Sequence, residues 1–75
     1  MGYARDMAET KFPPGIKVQM LESKDPNQLV VAYSIGTVLR VDENGRLEVL
    51  WASPNVMKGK KTWVDIARDN ITDAP

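Results

Sequence analysis

Two β-rich runs between residues 37 and 51 are joined only by Asp42-Glu43-Asn44-Gly45-Arg46. That junction constrains the fold more than any other part of the chain. Runs this close pair as an antiparallel hairpin, and side-chain parity selects the register. A two-residue Asn44-Gly45 turn sets Val41 against Glu48 and Arg40 against Val49, mixing polar and apolar residues on both faces. A three-residue loop, with Gly45 left-handed in a bulge, pairs Val41 with Leu47, Leu39 with Val49 and Thr37 with Trp51. The other face then carries Arg40 against Glu48 and Asp42 against Arg46, with Val38 against Leu50. One face becomes core and the other mostly solvent, so the second register is expected.

The remaining elements are also short and extended. Ile16 to Leu21 alternates apolar and polar until its last pair, which suits a half-buried strand. Glu22 to Gln28 reads as a loop, and Leu29 to Tyr33 as a short strand or an apolar loop folding back over the core. Gly36 introduces the strand Thr37 to Asp42. Ser53 to Lys60 is a loop broken by Pro54 and Gly59; Lys61 to Ile66 is a further strand. Ala67 to Asn70 is long enough for one 3₁₀ turn only, and Ile71-Thr72 closes the chain as a last strand. Residues 1–12 are polar and unpatterned up to Pro13-Pro14-Gly15, and are expected to form a flexible or loosely docked N-terminal tail. No window of eleven or more residues holds a helical apolar stripe.

Seventy-five residues allow one domain, here 13–75, burying about 60% of its unfolded surface. Five short strands in so short a chain point to an all-β fold, a small bent barrel that closes the sheet on itself. Ten Lys and Arg balance ten Asp and Glu, so a cationic shell for nucleic acid is not expected, although a local patch is allowed. The chain has neither Cys nor His. That removes disulfides, thiolate metal sites and the commonest general base. No apolar run is long enough for a membrane span or a signal peptide, so a soluble cytoplasmic protein is expected.

Gly36-Thr37-Val38, Val41-Asp42, Gly45, Leu47, Val49, Thr62-Trp63-Val64-Asp65 and Ile71 together resemble the KOW and Tudor-like group of Src-homology-3-like (SH3-like) barrels. They are also similar to small bacterial and phage domains of unknown function. The resemblance covers residues 14–72. It implies a five-stranded SH3-like barrel with a short 3₁₀ turn before the last strand, binding protein, peptide or RNA at the loops of one rim. The neutral charge departs from the nucleic-acid-binding KOW members.

Three groups of residues are candidates for a site. Trp51 has core parity, whereas Trp63 faces outward with Asp65, as an exposed contact or as a cover for the barrel's open end. Tyr33, ending an apolar run, plugs the barrel or sits at its rim. Lys58, Lys60 and Lys61 surround Gly59; they are a solvated loop tip that discourages edge pairing, or a phosphate-backbone contact joined by Arg46 or Arg68. Among the acids, Asp65, Asp69, Asp73, Glu22 and Asp25 lack calcium-loop spacing, and Asp69 is expected to cap the turn. The expected function is therefore a non-catalytic protein-interaction module without cofactor or metal. Its rim would be formed by the 22–28 and 53–61 loops, with Trp63 and Tyr33 as anchors. A free strand edge suits pairing with a partner or a second copy, in a monomer or weak homodimer. The alternative is a nucleic-acid-binding accessory of transcription or translation that uses the lysine loop.

Overall fold

A computed structural model describes residues 3–24, 26–27 and 30–74. Their order is α1 (Tyr3–Lys11), β1 (Lys17–Glu22), β2 (Ile35–Val41), β3 (Arg46–Ser53), β4 (Lys61–Asp65) and β5 (Asn70–Asp73). Asp25, Gln28 and Leu29 lie outside the described residues, so the 22–28 loop and the 29–33 run are placed only in part. The five strands form one antiparallel sheet in the order β4-β3-β2-β1-β5. The fold is all-β with one short helix.

Near its turn the β2–β3 hairpin has the three-residue register. Val41 pairs with Leu47 and Arg40 with Glu48, and Gly45 is left-handed at φ 82°. The Asp42 carboxylate organises the turn by accepting the Asn44 and Arg46 N–H groups at 2.9 and 2.8 Å. Farther out, the expected pairing fails. The register steps between Val38 and Arg40, so Leu39 is an extra residue, and Val38 pairs with Val49 and Gly36 with Trp51. Leu39, expected in the core, is exposed, and Val38, expected outside, is buried. The bulge has a packing reason: Val38 and Val41 have opposite parity, and only an inserted residue lets both face inward.

The core is built from Val18 and Met20 of β1, Val38 and Val41 of β2, Leu47, Val49 and Trp51 of β3, and Val64 of β4. Val30 and Met57 close it from the two long loops. The 30–34 segment is thus an apolar loop folded over the core and not a strand. Trp51 is 1% exposed. Its indole N–H donates to Thr62 Oγ1 at 2.9 Å, satisfying the one polar atom that burial would otherwise strand. Gly36 lies directly opposite. A Cβ there would stand 2.6 Å from the Leu50 carbonyl oxygen and 2.9 Å from Trp51 Cε3. Glycine at this position lets the indole lie against the strand.

The N-terminal segment departs most from the sequence reading. Residues 3–11 form a helix rather than an unpatterned tail, with Ala8 fully buried and Phe12 joining the core just beyond it. Ala4, Ala8 and Phe12 recur every four residues, which places them on one side of a helical path. The helix meets the hairpin turn closely, since a Cβ on Gly45 would lie 2.8 Å from the Ala4 carbonyl oxygen. A single short turn precedes β5, as the sequence predicts. The Asp65 carbonyl accepts from both Arg68 N–H and Asp69 N–H, at 2.9 and 2.7 Å. The first is the i→i+3 bond of a single 3₁₀ turn, and the second an added i→i+4 bond.

Two outcomes follow from this packing. Gly36→Ala should cost about 2 kcal/mol by overpacking against Trp51 and β3 backbone, whereas Gly59→Ala meets open space and is strained only by its φ of 82°. Denaturant midpoints of the two variants decide this, and equal losses would remove the packing argument. Deleting residues 1–11 should lower the thermal midpoint clearly, because it removes Ala8 from the core and uncovers the hairpin turn; an unchanged midpoint would mean that the helix adds nothing to stability.

Candidate interaction site

Trp63 sits on the outer face of β4, opposite Glu48 of β3, which itself lies opposite Arg40 of β2. The indole is 38% exposed. The Arg40 and Arg46 guanidinium carbons lie 5.3 and 5.8 Å from its ring centroid. Each arginine is also held by an acid: Arg40 Nε donates to Glu48 at 2.9 Å and Arg46 Nε to Asp42 at 2.8 Å. These are the two opposite-charge pairs that the hairpin parity requires. The Asp42 carboxyl feels some desolvation, but the Arg46 and Asn44 hydrogen bonds outweigh it and hold the group below its ordinary value. Trp63 therefore points outward as expected, yet it is half covered by a ladder of charged side chains that fixes this face of the sheet.

Tyr33 occupies a different place. It precedes β2, and its row is separated from the Arg40-Glu48-Trp63 row by most of that strand, about 20 Å at the usual strand rise. The sequence reading placed these two aromatics as joint anchors; the fold sets them at opposite ends of β2. Tyr33 is 68% exposed and has φ 68°, the left-handed region. Backbone bonds hold it there. Its N–H donates to the Met20 carbonyl at 2.6 Å, and Met20 N–H donates to the Ser34 carbonyl at 2.9 Å. Ser34, fully buried, returns its hydroxyl to the Val31 carbonyl at 2.7 Å. The 31–34 turn is thereby pinned to β1 with the ring in solvent.

The lysine loop lies at the same end of the sheet as Tyr33, because Ile35, two residues after Tyr33, pairs with Ser53 where that loop begins. The chain reverses after a cis Ser53–Pro54 bond, and returns to β3 through Gly59 N–H to the Trp51 carbonyl and Trp51 N–H to the Lys60 carbonyl. Lys58, Lys60 and Lys61 are all exposed. Val56 beside them is 60% exposed. The arginines expected to extend this patch do not join it. Arg46 pairs with Asp42, and Arg68 pairs with Asp69.

Asp69 has a structural part. Its side chain is 1% exposed and accepts from Ser23 Oγ, Lys24 N–H, Asp65 N–H and the Arg68 guanidinium. Burial by itself pushes this carboxyl up; the Arg68 bonds and the two backbone N–H groups outweigh it, and the group lies below its ordinary value. Asp69 thus caps the turn, as expected, and it also ties the loop after β1 to that turn. Sequence alone does not reveal the second tie, which spans 45 residues of chain. Among the described residues no group of three or more Asp or Glu could hold a metal ion, and no helix is long and apolar enough to cross a membrane.

Set against family models, curated proteins and solved structures, the chain matches none. Its site must be read from its own residues.

The Asp69 clamp has a signed pH dependence. A lowered folded-state pKa means that its stabilisation is complete above the unfolded value near 3.8 and is lost as pH falls through the folded value. Asp69→Asn should therefore cost about 2 kcal/mol at neutral pH. It should also flatten the fall of the thermal midpoint below pH 4, with Asp42 supplying what slope remains. A variant with unchanged acid sensitivity would show that the clamp is not the acid-labile element.

Proposed function

We propose that this chain is a non-catalytic binding module on an SH3-like barrel, engaging a protein partner through the end of the sheet that carries Tyr33 and the lysine loop. The barrel reading rests on connectivity. β4 and β5 are the two outer strands of a five-stranded sheet, yet only residues 66–69 separate them. A flat sheet would hold those strands about 19 Å apart. One hydrogen-bonded turn does not span that distance, so the sheet curls.

The binding reading rests mainly on Tyr33. A left-handed backbone costs an aromatic residue about 1 kcal/mol, and asparagine or glycine adopts it more readily. Tyr33 accepts that cost while leaving most of its ring in water. Strain retained without a packing return is characteristic of residues kept for what they contact, and tyrosine is a frequent anchor in protein interfaces. Trp63 is the weaker anchor, since its ring is already engaged by two arginines.

Tyr33→Asn separates function from structure. The variant should be as stable as the wild type or more stable by up to ~1 kcal/mol, while losing most of its capture of host partners in pull-downs from the native cell. Trp63→Ala should behave oppositely, losing stability and keeping the partner. If Tyr33→Asn unfolds earlier, or retains the partner in full, the ring is structural and this reading fails.

A further inference from the structure

The net charge of zero conceals a strong segregation. All ten carboxylate residues fall outside two stretches, 26–41 and 49–64. The fold brings those two stretches together, since they comprise β2 with the loop before it and most of β3 with the lysine loop and β4. Every arginine is paired with an acid: Arg5 with Glu9, Arg40 with Glu48, Arg46 with Asp42 and Arg68 with Asp69. Lys58, Lys60 and Lys61 have no such partner among the described residues. Lys11, Lys17 and Lys24 make no ion pair among the described residues either, but they are scattered, whereas Lys58, Lys60 and Lys61 cluster within one acid-free stretch and put their positive charge at the Tyr33 end.

That end is also apolar. Tyr33, Val31 and Val56 are exposed there. A groove of about 360 Å³ runs beside the 30–32 loop, lined by Leu21, Val30, Val31 and Ala32, with Glu22 and Ser23 at its border. Glu22 borders the groove on its β1 side, and the lysine loop lies beyond the groove's own lining, at the same end of the sheet. Nucleic acid fits this arrangement poorly. Three cations give weak backbone affinity, one exposed aromatic makes a short stacking platform, and aliphatic valines offer bases no ring to stack on. Valines beside a groove suit aliphatic or aromatic side chains, and lysines suit carboxylates.

We infer that the Tyr33 end takes an acidic segment of a partner protein, which seats an apolar side chain in the Val30–Val31 groove and sets carboxylates against Lys58, Lys60 and Lys61. This rests on the binding-module reading and specifies its ligand chemistry. The lysines steer and select the segment, and the groove and Tyr33 hold it.

The test uses the full ¹⁵N-labelled chain and capped peptides of about ten residues that carry two leucines among glutamates, among lysines or among serines. Oligothymidylate is the fourth probe. The glutamate peptide should shift the amides of 31–33 and 56–61, weakening about threefold in high salt. Lys58→Glu, Lys60→Glu and Lys61→Glu combined should reduce that binding roughly tenfold and favour the lysine peptide instead. These lysines are exposed loop and edge positions, and an unchanged amide spectrum elsewhere verifies the fold. If the serine peptide binds as well as the glutamate peptide, the binding end stands and the acidic specificity is overturned. Stronger shifts from oligothymidylate than from any peptide overturn the inference in favour of nucleic acid. No shift from any probe overturns both this inference and the binding-module reading at this end.

Discussion

The contact between Trp51 and Gly36 sets the geometry on which the rest of the sheet depends. The largest fully buried side chain lies across a strand that has no side chain at the point of contact. This brings β2 and β3 close, fills the centre of a core too small to tolerate a void, and sends the indole N–H to Thr62 on β4. One residue thereby joins three adjacent strands. The bulge at Leu39 accompanies this arrangement, since it restores the inward direction of Val41 after Val38 has turned into the core opposite Val49. With only a dozen buried apolar side chains among the described residues, exact parity along a strand matters less than filling the space around the largest of them.

That balance explains what could be read from the sequence. The hairpin turn, its two ion pairs and the outward direction of Trp63 follow from alternation and turn chemistry, both of which are local. The Leu39 bulge does not, because it answers to volume on the opposite strand and leaves Leu39 exposed, against its type. The helix was hidden for a related reason. The one residue it buries, Ala8, is small, and Ala4 meets Gly45 through its backbone, while its larger side chains, Tyr3 and Met7, face water. A hydrophobicity pattern weights the wrong residues in such a helix.

The candidate site was legible as residue types but not as an arrangement. The lysines and Trp63 are outward, as the sequence suggests, and so is Tyr33, for which the sequence left both a plug and a rim position open. Only the fold shows that Tyr33 belongs with the lysine loop and that Trp63 belongs with the arginines. The left-handed backbone of Tyr33 carries no sequence signal at all, since the residue types that announce such a turn are glycine and asparagine. Charge was the most misleading quantity. Within the neutral total, four acids pair with the four arginines, and none of the ten lies in the 49–64 stretch that carries the three loop lysines.

The docking of α1 against the hairpin turn also bears on how the chain acquires its structure. A helix of nine residues is too short to persist by itself in water, and the surfaces that stabilise this one are supplied by residues more than thirty positions downstream. The helix is therefore ordered only once the turn it covers has formed. The β2–β3 hairpin, closed by three residues and an aspartate, needs no distant partner to begin pairing. The hairpin is local and self-contained, whereas the helix depends on a surface that the hairpin supplies.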